Sequence, residues 1–95
     1  MSRLPRRDFR FILVDSEKTA KEIENFCLEN RLVDGKDGWD GWTTCRTFGT
    51  IRVSGKIKWQ VRFVCTLREW DRIMKHYNLK KLGRRACGIY YELGL

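Results

Sequence analysis

Apolar positions recur along this chain with two different periods, and each change of period marks an element. Residues 8–14 (Asp-Phe-Arg-Phe-Ile-Leu-Val) are aromatic and β-branched and predict a strand. Asp15 or Ser16 then offers an N-cap oxygen to a helix running to about Leu32. Within it Ala20, Ile23, Phe26 and Cys27 share one face at helical spacing, while Lys18, Glu22, Glu24 and Glu29 face water. Asp34–Gly41 reads as a loop, built from Gly35, Gly38, Gly41 and three aspartates.

From Trp42 to Cys65 the period becomes two. Ile57, Trp59, Val61 and Phe63 alternate with Lys58, Gln60 and Arg62, the pattern of a half-buried strand. Thr43–Val53 is the strand before it, with Gly49 placed for a bulge. A two-residue turn, Ser54-Gly55, would put Ile51 and Val53 on the same face as Lys56 and Lys58. A three-residue turn, Ser54-Gly55-Lys56, pairs Val53 with Ile57 and Ile51 with Trp59 and keeps the apolar set together, so it is the expected register. Without a bulge at Gly49 the same register sets Cys45 opposite Cys65.

Thr66-Leu67-Arg68-Glu69 is a capping box that opens a second helix, with Leu67, Trp70, Ile73, Met74 and Tyr77 on its apolar face and an end near Asn78. A basic connection, Lys80–Arg85, leads to a last strand over 87–93. The order β-α-β-β-α-β predicts an α+β, ferredoxin-like sandwich. Its sheet is four-stranded and antiparallel, in the order 4-1-3-2, with both helices on one face and the other face open. The 95 residues support one core, so the domain spans 8–95 behind a basic N-terminal arm, 1–7. No apolar run exceeds Phe11–Val14, which excludes a membrane-spanning helix, and no signal-peptide core follows the charged start, so the expected location is cytoplasmic.

Charge changes the picture more than composition does. The net +8 is uneven. Residues 11–41 hold four basic side chains against eight acidic ones, whereas residues 42–95 hold twelve against three. A basic half with an acidic counter-face points to a polyanionic partner. The expected open face carries Phe48, Thr50, Arg52, Lys58, Gln60 and Arg62, with Tyr90 from the last strand. Rings among cations suit single-stranded nucleic acid, where bases stack and cations hold phosphates. Arg6 and Arg7 of the arm, with Arg3, and Lys80, Lys81, Arg84 and Arg85 of the connection add phosphate contacts. With about six such contacts, affinity falls roughly a thousandfold between 50 and 200 mM salt. RNA-recognition modules use this fold and face, and the resemblance is one of architecture. Their third-strand signature, a basic residue, Gly and then alternating aromatics, is absent from Lys58-Trp59-Gln60-Val61-Arg62-Phe63.

Candidate chemistry is otherwise sparse. The four cysteines are widely spread, no C-x-x-C occurs, and His76 is the one histidine, so the sequence is read as four buried thiols with no metal site. The aspartates of the 34–41 loop lack the calcium-loop spacing and its terminal Glu. No cofactor motif, P-loop, nucleophile elbow or HExxH is present. Acylphosphatases share this length, basicity and fold, but their glycine-rich phosphate loop should fall at Val14-Asp-Ser-Glu-Lys18, where it is missing.

The expected function is therefore a non-enzymatic nucleic-acid-binding module. The alternative is a small inhibitor or adaptor of phage type, such as an anti-CRISPR or other anti-defence protein, acting on an acidic host protein or nucleoprotein. Trp39, in the acidic loop, is its expected partner-binding residue, with Trp42 folded into the core. An unshielded sheet edge also admits a homodimer.

Overall fold

Asp8–Val14 form β1, and its apolar residues fall on both faces of the strand. Ile12 and Val14 enter one buried cluster, Phe11 and Leu13 another. A strand buried on both sides belongs in the middle of a sheet, and that is where β1 lies. The computed structural model describes residues 8–30, 32, 45–85 and 88–93. Ser16 caps α1 (Glu17–Glu29), accepting a hydrogen bond from the Thr19 backbone N–H at 3.2 Å. The helix ends three residues short of the sequence expectation, with Asn30 as its cap.

Strands β2 (Cys45–Val53) and β3 (Lys56–Cys65) form an antiparallel hairpin. Its turn has two residues, not three: Val53 pairs with Lys56 and Ile51 with Lys58. Ser54 (φ 51°) and Gly55 (φ 79°) are both left-handed, as the hairpin turn matching strand twist requires. The bulge for which Gly49 was placed is present: β2 bulges between Thr47 and Gly49, with Gly49 at φ 104°. The turn and the bulge each shift the register by one residue, so Cys45 pairs with Phe63 rather than Cys65, and the turn alone sets Thr50 and Arg52 opposite Trp59 and Ile57. Cross-strand partners share a face, so Thr50 and Arg52 lie on the helix side of the sheet. Ile51 and Val53 lie on the other.

Helix α2 (Leu67–His76) opens on the capping box legible in the sequence. The Glu69 N–H donates to Thr66 Oγ1 at 3.2 Å, and the Thr66 N–H donates to Glu69 Oε1 at 2.9 Å. Glu69, Trp70 and Ile73 are its buried residues, while Leu67 and Met74, expected on the apolar face, are exposed. Thr66→Ala is expected to lower stability by about 1 kcal/mol, with Thr66→Ser close to the parent. Urea denaturation midpoints measure this, and equal midpoints for Thr66→Ala and the parent would remove the box from the account.

The largest correction follows α2. Lys80–Arg85, read from sequence as a connection, belongs to a strand, β4 (Leu79–Arg85), which forms an antiparallel hairpin with β5 (Gly88–Leu93). The sheet has five strands in the order β2-β3-β1-β5-β4. Without its outermost strand, β4, that order is the expected 4-1-3-2, but the added reversal makes β5 run parallel to β1. The sheet is mixed, not antiparallel. The protein is an α+β fold, with two helices among the described residues.

Both helices cover one face. Ala20, Ile23 and Cys27 of α1 and Trp70 and Ile73 of α2 pack on Ile12, Val14, Cys45, Val61, Phe63, Cys65 and Tyr91. The opposite face, expected to be open, is buried at its centre. Phe11, Leu13 and Tyr90 form a second apolar cluster there, joined by Ile51 and Val53 from β2 and Leu82 from β4. The two-residue turn is what delivers Ile51 and Val53 to this side.

Candidate nucleic-acid interface

Phe48 is the residue around which a binding site can be built. It sits in the β2 bulge on the helix-free face and is 47% exposed. Its inner side is held: the Arg62 guanidinium lies 4.7 Å from the ring centroid and the Phe11 ring 6.0 Å away. Phe11 in turn stacks on Tyr90 at 4.6 Å and 8°. The Gln60 amide donates to the Thr50 carbonyl at 3.4 Å and ties β3 to β2 just past the bulge. The ring is thus fixed from within and open outward.

Arg62 itself is only 5% exposed, between Phe48 and the Phe9 ring at 6.0 Å. Burial, and then the charge of Arg46, pull its pKa below the ordinary arginine value, yet an arginine in this state remains a cation. Arg46 pairs directly across from it and is exposed. Like charges in opposed cross-strand positions oppose folding. With the exposed ring they make a cationic, aromatic corner: Arg46, Phe48, Arg62 and Phe9, the last 40% exposed.

No family model, curated protein or solved structure matches this chain. The site is therefore read from its geometry alone.

The other residues expected at the site separate into groups. Lys58 shares the helix-free face but forms an ion pair with Asp15 at the end of β1. That hydrogen bond is the main cause of a raised Lys58 pKa and a lowered Asp15 pKa, so both stay charged and Lys58 is committed within the chain. Arg52 is exposed on the opposite face, across from Ile57. Lys80, Lys81, Arg84 and Arg85 are exposed on β4. Three strands lie between β2 and β4, so these cations stand roughly 19 Å from the Phe48 corner, four interstrand spacings away. Arg6, Arg7 and Trp39, with Trp42, lie outside the described residues.

Arg46 and Phe9 were missed by sequence reasoning, although both had a signal. Arg46 is two residues before Phe48 and Phe9 two before Phe11, so each shares its neighbour's face at strand spacing.

The described thiols belong to packing, and Cys87 lies outside the described residues. Cys27, Cys45 and Cys65 are buried. The hydrogen bond with Cys27 and then burial push the Cys45 thiol far above its ordinary value, which keeps it protonated and unreactive. His76 packs edge-on against Phe26 at 5.4 Å on the helix side. Among the described residues no three His, Cys, Asp or Glu side chains converge for a metal, and no helix is long and apolar enough to cross a membrane.

Proposed function

We propose that this protein binds single-stranded nucleic acid, stacking a base on Phe48 and holding the adjoining phosphates with Arg46, while the cations of β4 hold phosphates further along the strand. The observation that supports it is the state of Phe48. An aromatic ring fixed on its inner face by a buried arginine and open on its outer face is a stacking platform already in position. Such rings accept any base, because every base has a π-face, and cations beside them track the backbone. The buried centre of the helix-free face narrows the reading: Phe11 and Tyr90 are packing residues, and contact falls on the exposed corner.

Phe48→Ala is expected to weaken binding of a labelled single strand by about five- to a hundredfold, the cost of losing one stacked base, while Phe48→Tyr retains it. Fluorescence anisotropy at low salt measures both, with a thermal melt to show that each variant is folded. Equal affinities for the parent and a folded Phe48→Ala protein would remove Phe48 from the site. A parent that binds neither DNA nor RNA would end the nucleic-acid reading and favour an acidic protein partner.

A further inference from the structure

We infer that β4 is a rail for the phosphate backbone, along which a single strand runs parallel to the sheet edge without its bases being read. The inference deepens the nucleic-acid reading and rests on it. Lys80, Lys81, Arg84 and Arg85 are all exposed, and no hydrogen bond or ion pair among the described residues engages their side chains. They occupy the outermost strand, with nothing beyond it in the sheet order.

Their arrangement depends on a bulge. In a regular strand, residues three apart point to opposite faces. Lys81 and Arg84 do not, because Leu82 and Gly83 together oppose Tyr90, with Gly83 in the left-handed region (φ 112°) that admits the extra residue. Lys81 therefore pairs with Tyr91 and Arg84 with Ile89, two positions apart on one face. That is about 7 Å along the strand, and consecutive phosphates of one nucleic-acid chain recur at a comparable interval. Lys80 and Arg85 pair with Glu92 and Gly88 on the other face, about 14 Å apart. Lys80 thus stands across from an acid, whereas the partners of Lys81 and Arg84 are uncharged. The matched pair is the uncompensated one.

Two other roles for a charged edge fit less well. Lysine on an edge strand blocks pairing with other chains, but blocking does not call for two like charges close together on one face. An added peptide strand needs a continuous row of outward backbone groups, which the bulge interrupts. At the opposite edge the Thr47 N–H is taken by the Glu24 carboxylate of α1, so the two edges are not equivalent. An anion carrying evenly spaced charges is the occupant that the cation spacing matches. Tyr91 is buried and Ile89 partly so. The β5 residues opposite Lys81 and Arg84 therefore offer the rail no exposed ring, and its phosphate contacts carry no sequence information.

The test separates charge from stacking through salt dependence. Binding of labelled oligothymidine is measured over a series of salt concentrations for the parent, Lys81→Gln/Arg84→Gln, the charge-keeping swap Lys81→Arg/Arg84→Lys, and Phe48→Ala. With two phosphates no longer neutralised, the slope of log K against log salt should become shallower by about 1.4 in the Gln pair. The swap should keep the parent slope, and Phe48→Ala should lose affinity at constant slope. An unchanged slope in the Gln pair, with Phe48→Ala still weakened, overturns the rail and leaves the functional reading standing. The same unchanged slope accompanied by self-association of the Gln pair, seen by light scattering, assigns these cations to edge protection and also overturns it. Absence of binding by the parent overturns both.

Discussion

Trp70→Ala should lower the stability of this protein by about 3–5 kcal/mol, a large part of the roughly 5–15 kcal/mol that holds a domain of this size together. Trp70 is 1% exposed and is the contact between α2 and three strands at once. Its ring meets Phe63 of β3 at 5.5 Å and Tyr91 of β5 at 4.9 Å, and the Arg10 guanidinium of β1 lies 5.7 Å from its centroid. Truncation leaves a cavity bordered by rigid strands, which relax little, and removes the aromatic face under a buried cation. Trp70→Phe is the informative companion. The indole N–H has no hydrogen-bond acceptor among the described residues, so phenylalanine loses area but strands no polar partner, and its cost should be well below that of alanine. Urea denaturation followed by circular dichroism gives both values. A Trp70→Ala midpoint close to the parent's would mean that α2 is held from elsewhere.

Gly88→Ala should be the most damaging methyl added at any of the described glycines, costing about 3 kcal/mol by overpacking. A Cβ at Gly88 would stand 2.4 Å from the Phe9 carbonyl oxygen and 2.9 Å from the Phe9 Cβ. The obstacle is backbone, which no rotamer change removes, and it belongs to β1, the strand that β5 must pair with. Gly55→Ala is the control. That glycine has positive φ as well, but nothing within 4 Å of the added carbon, so only the conformational cost of roughly 1–2 kcal/mol applies. Hydrogen exchange should show the difference in place: Gly88→Ala speeds exchange along the β1–β5 pairing, and Gly55→Ala leaves that ladder protected. Equal, small effects of the two substitutions would show that β5 does not approach β1 as closely as described.

The parts of the fold legible in the sequence were those with a local cause. Ser16 and the Thr66–Glu69 box fix where the helices start, and the alternation from Ile57 to Phe63 fixes the faces of β3. What escaped was decided by long-range pairing or by single extra residues. β4 is exposed on both faces along most of its length, so its cations show no alternation, and Lys, Arg and Gly have little strand preference of their own. A basic linker and a basic edge strand look alike in such a segment. The register of β2 turned on one residue in the turn and one in the bulge, each of which reverses side-chain faces. The second apolar cluster did leave a trace: Phe11 and Leu13 alternate with Ile12 and Val14, and a strand apolar on both parities needs cover on both faces. For the site, Phe48 and Arg62 were found on the right face, but the burial of Arg62 and the commitment of Lys58 to Asp15 depend on tertiary neighbours that no spacing rule supplies.

The parallel pairing of β1 with β5 bears on how the chain is made. β1 leaves the ribosome before the other four strands, and β3, its antiparallel partner, follows after the first helix and β2. Its other side stays unpaired until residues 88–93 emerge. Until then this largely apolar strand presents a bare edge from Arg10 to Leu13, the kind of segment that pairs with a neighbouring chain when its own partner is late. Closing a contact between strands so far apart in sequence is also slow. The strand at the centre of the finished sheet is the one that waits longest to be enclosed.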